Sequence, residues 1–235
     1  MATPYSITIS MSQDTVNALK DGGFNLYGFK AVGTSQKGGQ PLVWFTSTAF
    51  GLSVSIDWTE QYEIYTSTTQ IAPGVTITGT NAYPANLGQC LNVTDASGTG
   101  TIVNGSAPMA LEANNETTTQ LTCGIGQSVQ GAVSILCAFP LYGGNMDVMQ
   151  PIEKVALMLS TMPINTGSVI EQAFAPGIIL DLTTDANAKI TFDINNGWSG
   201  SNVPTTPVPA NASLAPLLIE SSSSLAKLAQ AKEKK

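Results

Sequence analysis

Two stretches of this chain alternate apolar and polar residues with a period of two. Leu52, Val54, Ile56 and Trp58 are separated by Ser53, Ser55 and Asp57, and Ile190, Phe192 and Ile194 alternate with Lys189, Thr191 and Asp193. Successive side chains of a strand point to opposite faces, so this pattern demands a sheet with one buried face and one wet face. Runs rich in Thr, Val and Ile extend the reading to strands over 5–11, 24–32, 41–46, 75–79, 89–93, 119–125, 133–139, 155–161, 168–174 and 178–183. Turn signals such as Asp21-Gly22-Gly23, Pro73-Gly74, Ser97-Gly98, Gly143-Gly144-Asn145 and Asn196-Gly197 punctuate them. Many short strands cut by such turns predict an all-β, antiparallel β-sandwich, either one sandwich or two packed sandwich-like modules.

The 235 residues suffice for one large domain or two small ones. Residues 1–220 read as the body, with the polar, loop-rich stretch 94–119 as a candidate subdivision. The stretch 197–213 reads as linker-like, returning the chain to a last strand over 214–219. Two helical pieces fit. Ser12 can cap a short helix through Leu19 that Gly22 closes. The Lys-rich tail 221–235 places Leu225, Leu228 and Ala229 on one helical face, or else frays. The segment 151–160 suits helix or strand, and its strand neighbours favour strand.

Composition removes whole classes of function. The chain has no His and no Arg, which excludes His-based catalysis, His metal sites and arginine clamps. Charged residues are only 11% of it, and the net charge is −7. Four of the nine Lys lie in the last nine residues, so the body sets five Lys against fifteen carboxylates. Nucleic acid binding needs a basic stripe to neutralise phosphates, and none is present. No apolar run approaches the roughly 20 residues of a membrane-spanning helix. The opening residues carry neither a basic nor a long apolar region, so no standard signal peptide is expected, and the chain reads as cytoplasmic or exported by another route.

Candidate chemistry is sparse. Gly124-Ile125-Gly126-Gln127-Ser128 lacks the Gly-x-Ser-x-Gly order of a nucleophile elbow. Asp57, Glu60 and Glu63 sit beside Trp58, Tyr62 and Tyr65, as a glycosidase cleft would require. On one strand, however, Asp57 and Glu63 stand about 20 Å apart, so they read better as wet-face acids. Asp181, Thr183, Asp185 and Asn187 alternate like calcium ligands, yet Ala186 and Phe192 stand where such a loop wants Gly and Glu. They read better as turn residues, and no metal or cofactor is expected. Cys90, Cys123 and Cys137 fit no zinc spacing and read as small buried hydrophobes, with one disulfide plus a free thiol as the rival. Trp44 and Trp58 lie inside alternating patterns and belong to the core.

Trp198 differs, because it sits in a polar turn after Asn195, Asn196 and Gly197. There it could stack on a pyranose while the Asn195 and Asn196 amides bond hydroxyls, or it could fold back over the sheet edge. The first expectation for function is a non-enzymatic, β-rich structural protein that self-associates into a homo-oligomer, lattice or fibre. A weakly charged Ser/Thr/Asn surface desolvates at low cost, and uncharged edge strands can pair between copies. The second is a carbohydrate-binding, lectin-like module using Trp198, Asn195 and Asn196. The third is an oligomeric pore-forming toxin built from amphipathic hairpins such as 70–80 and 117–134. A glycosidase built on Asp57, Glu60 or Glu63 ranks last.

Overall fold

The computed structural model describes residues 3–221. Strands dominate. In chain order they are β1 (Pro4–Ser10), β2 (Asn25–Thr34), β3 (Gln40–Pro41), β4 (Phe45–Ser47), β5 (Ser53–Ser67), β6 (Asn81–Ala85), β7 (Gln89–Val93), β8 (Gly100–Asn104) and β9 (Leu111–Asn115). They continue as β10 (Leu121–Val129), β11 (Ala132–Ile135), β12 (Cys137–Leu141), β13 (Met146–Ser160), β14 (Gly177–Asp181), β15 (Asn187–Asp193), β16 (Gly197–Ser199), β17 (Thr205–Val208) and β18 (Ile219–Ser221). Two helices, α1 (Gln13–Asp21) and α2 (Ala215–Leu218), complete the described residues.

The strands form two sheets. The first runs β16-β15-β1-β5-β10-β12-β3, with β11 on β10 and β6 on β5. The second runs β17-β14-β13-β9-β7-β8, and β2 adds to β13 while carrying β4 and β18. The all-β expectation holds, but the purely antiparallel one does not. β1 pairs with β15, β7 with β9 and β18 with β2 in parallel. Each parallel pair joins segments that are not neighbours in the chain, so no local turn signal announces it.

The faces between the sheets share one core. Ile7, Ile9, Ile56 and Ile125 of the first sheet meet Leu26, Val32, Leu157 and Leu180 of the second. The second sheet is also buried on its far side, where Tyr27, Phe29 and Met158 lie under Ala173, Leu214 and Leu218. A strand buried on both faces has no wet side, which explains the unbroken burial along β2 after Asn25. Gly28 makes room there, since a Cβ at that position would stand 2.0 Å from the Phe45 ring.

Local signals behave as expected at α1. Ser12 caps it by accepting from the Thr15 backbone N–H at 3.2 Å, and Gly22 ends it. The segment 151–160 is strand. Five segments depart from expectation. The stretches 75–79 and 168–174 hold only isolated bridges, because their backbones bond to several different neighbours while their side chains cover the sheets. The linker-like stretch 197–213 contains β16 and β17, and 94–119 contains β8 and β9. The last strand starts later than expected: Pro216 sits in the first turn of α2, where its missing N–H costs nothing, and β18 follows. The tail expectation for 222–235 lies outside the described residues. No helix among the described residues is long and apolar enough to cross a membrane.

Candidate functional site

The three residues that sequence nominated occupy the β15–β16 hairpin. Asn195 and Asn196 are exposed in its turn, and Gly197 supplies the left-handed backbone at φ +76°. Asp193 organises the turn. Its Oδ1 accepts the backbone N–H groups of both asparagines at 3.0 Å and the Asn196 side-chain amide at 2.9 Å. Those backbone donors hold the Asp193 carboxyl below its ordinary pKa. Trp198 is half-buried and packs against Phe192, with ring centroids 4.8 Å apart. Its indole N–H is buried without a partner. The hairpin thus brings Trp198 and the two asparagines close in the chain, but the Asn196 amide is engaged and one side of the indole is covered.

The other sequence candidates are dispersed. Asp57 is exposed and accepts the Ser55 hydroxyl, whereas Glu60 accepts the Tyr5 hydroxyl at 3.2 Å. Burial raises the Glu63 carboxyl. Asp181 and Asp185 accept from the backbone N–H groups two residues on, which is turn chemistry. No cluster of three or more Cys, Asp or Glu able to hold a metal occurs among the described residues. The three cysteines are buried free thiols. Burial pushes Cys90 up to about 11 and raises Cys123 and Cys137 further, so none is a ready nucleophile.

The densest chemistry in the molecule surrounds Lys30, which sequence analysis did not single out. Lys30 faces the space between the sheets, between Gly28 and Val32 on the same face of β2, and is fully buried. Its Nζ donates to Gln127 Oε1 at 2.7 Å and to Glu153 Oε1 at 2.9 Å. Trp44 and Trp58 present their rings 5.5 Å from Nζ, and Tyr5 lies at 6.0 Å. Those rings lock one another: Trp44 meets Trp58 edge-on, and Tyr5 stacks on Trp58. Every polar partner is itself held. Trp58 Nε1 donates to Glu153 Oε2 at 3.2 Å, Gln127 Nε2 donates to the Thr59 carbonyl at 2.7 Å, and Trp44 Nε1 donates to the Gln127 carbonyl at 3.3 Å.

Two ladder irregularities build this cage. Between the Ala31–Ile152 and Lys30–Val155 pairs, β13 inserts Glu153 and Lys154. Opposite Ser128 of β10, β5 carries Thr59, Glu60 and Gln61, two residues in excess. A one-residue slip would turn every later side chain to the wrong face, whereas two extra residues preserve the alternation. Glu153 therefore stays on the inner face with Val155 and Leu157 while reaching over Lys30. Burial pulls the Lys30 ammonium below its ordinary pKa, and the Glu153 carboxylate opposes that pull. Burial, then Glu153 and Glu60, raises the Tyr5 phenol, which therefore stays protonated and donates to Glu60.

One signal in the sequence could have found the cage. Phe29-Lys30-Ala31 puts a lone charge inside an otherwise apolar run, and a strand with no wet face leaves that charge nowhere to go but inward. Nothing comparable points to Gln127 or Glu153, which lie 97 and 123 residues away. Compared with known protein families, curated proteins and solved structures, this chain matches none.

Proposed function

We propose that this chain is a non-enzymatic structural protein that self-associates, with a second copy pairing along β8. One observation carries the reading: among the described residues, β3, β8, β16 and β17, the ends of the two main strand orders, contain no charged residue. Exposed edges are usually blunted by charge, proline or shortness. Pro41 and Pro207 blunt β3 and β17, and β16 has only three residues. β8 is five residues long with none of these guards. Thr101, Val103 and Asn104 are exposed along it, and Met109 and Met146 add exposed apolar surface nearby.

A second copy is the fitting occupant. The segment 96–111 is uncharged in a chain of net charge −7, so like-charged copies approach there with least repulsion. Antiparallel β8–β8 pairing repeats the same patch on both subunits and closes as a two-fold dimer. The carbohydrate reading of Trp198, Asn195 and Asn196 has less support, because Phe192 covers the indole and Asp193 holds the Asn196 amide.

The test is the mass of the full chain in solution by light scattering across concentration, for the natural sequence and for Thr101→Lys with Val103→Lys. A particle larger than the monomer that dissociates in the double variant is the expected result. A monomer at all concentrations overturns self-association, and an oligomer indifferent to both lysines overturns the β8 interface.

A further inference from the structure

The Lys30 cage holds an amine within hydrogen-bond reach of both a carboxamide and a carboxylate, and aromatic rings wall the amine in. An ion pair alone would not need the carboxamide, and a neutral hydrogen-bond network would not need the carboxylate. Together the three groups are the components of an intramolecular acyl transfer. The amine is the nucleophile, the side-chain amide is the acyl donor, and the carboxylate moves protons. We propose that Lys30 and Gln127 form an isopeptide cross-link between the two sheets, with Glu153 as its general base and acid.

The step balances without any co-reactant. Glu153 takes a proton from the Lys30 ammonium and frees the Nζ lone pair. Nζ attacks Gln127 Cδ, and the Nζ–Cδ bond forms as the Cδ–Nε2 bond breaks. Of the two protons that Nζ gives up, one completes the departing ammonia and the other leaves on it as ammonium, so Glu153 returns to carboxylate.

Several features of the cage serve this reaction. Burial lowers the Lys30 pKa and so eases its deprotonation. Trp58 Nε1 fixes Glu153 Oε2 and leaves Oε1 facing the amine. The Thr59 carbonyl holds Nε2, the leaving group, on the side away from Nζ. Fixed positions of this kind replace the improbable encounter of an amine with an unactivated amide. A surface cleft of about 440 Å³, lined in part by Tyr5, Trp58 and Thr59, adjoins the cage and offers ammonia a way out. The product would join β2 of the second sheet to β10 of the first and close a loop between residues 97 apart.

The first measurement is the intact mass of the denatured full chain, followed by tryptic mapping. The expected mass is lighter than the sequence by one ammonia. Mapping should show no cleavage after Lys30 and a branched peptide that carries Gln127. It also separates this loss from cyclisation at Asn104-Gly105 or Asn196-Gly197, which would leave Lys30 cleavable. Glu153→Gln should restore the full mass and the cleavage, and Lys30→Met should restore the mass. An unmodified mass with cleavage after Lys30 overturns the cross-link. A loss of one water, with the branch at Glu153, overturns Gln127 as the donor.

Discussion

Glu153 and Lys154 are neighbours in the same two-residue insertion of β13, and each makes an ion pair with opposite surroundings. Glu153 turns inward to Lys30 at 2.9 Å, and the two side chains are 11% and 0% exposed. Lys154 turns outward to Glu220 of β18 at 2.7 Å, where the side chains are 24% and 15% exposed. By distance the outer pair is the stronger. By environment the order reverses, since water that reaches a pair both screens it and replaces a lost partner. The inner pair has no such substitute, and its ammonium depends on Glu153, Gln127 and three rings.

Removing one inner partner should have the largest effect. Lys30→Ala strands the Glu153 carboxylate in the core, and unfolding free energy should fall by about 3–5 kcal/mol. Urea unfolding measures this directly against chain whose Lys30 is still a free amine, with the slope unchanged if the rest of the fold survives; a cross-linked reference would unfold with a shallower slope, because the link keeps its unfolded chain compact. A loss under about 1 kcal/mol would place the cage in contact with water and dissolve the distinction between the pairs. Replacing both charges, with Lys30→Met and Glu153→Leu together, should cost less than the single change. No charge is then left unpaired. Gln127 Oε1 and Trp58 Nε1 do lose partners, so a residual loss of about 2 kcal/mol is expected from these two orphaned groups.

The contrast also marks where sequence is legible. Alternation in 52–58 and 189–194 could be read because β5 and β15 each wet one face, and the pattern records which face. The α1 boundaries could be read because Ser12 and Gly22 act within one turn of their own position. Lys30 escaped because its lone charge carries meaning only once β2 is known to be buried on both faces, and a run without a period does not announce that. Its partners come from β10 and β13, and the insertions that aim Glu153 are events of pairing, visible only once strands have neighbours. The parallel pairs escaped for the same reason. Trp198 stood out because it lies in a polar turn, yet only the fold shows Phe192 beneath it.

Asp147, unlike Glu153, is a buried acid with no countercharge among its hydrogen-bond partners. Thr34 and Ser35 donate to its Oδ1 at 2.9 and 3.0 Å, and its Oδ2 is buried without a partner. Burial raises its pKa above the ordinary carboxylate value, against the pull of those donors. The folded state therefore holds this proton more tightly than the unfolded chain. Its contribution is fully present below the unfolded pKa and is lost as pH rises through the folded one. The stability of the natural chain relative to Asp147→Asn should accordingly fall with rising pH across that window. Urea midpoints over an acid-to-neutral series would show it, and a relative stability that rises with pH would reverse the assignment.

The smallest effect should come from the outer pair, and its salt dependence is the discriminating reading. Lys154→Ala removes the partner of Glu220, but both side chains remain partly open to water, which can solvate the carboxylate left behind. A loss of about 1 kcal/mol or less is expected at low ionic strength. At about 1 M salt the screening length shrinks to about 3 Å, comparable to the pair itself, so the loss should shrink further. The cost of Lys30→Ala should hardly change over the same range, because salt does not enter the cage. Both costs falling together with salt would mean that the inner pair is wet. Both holding constant would mean that β18, which pairs in parallel with β2 beside Glu220, shields the outer pair as completely as the rings shield Lys30.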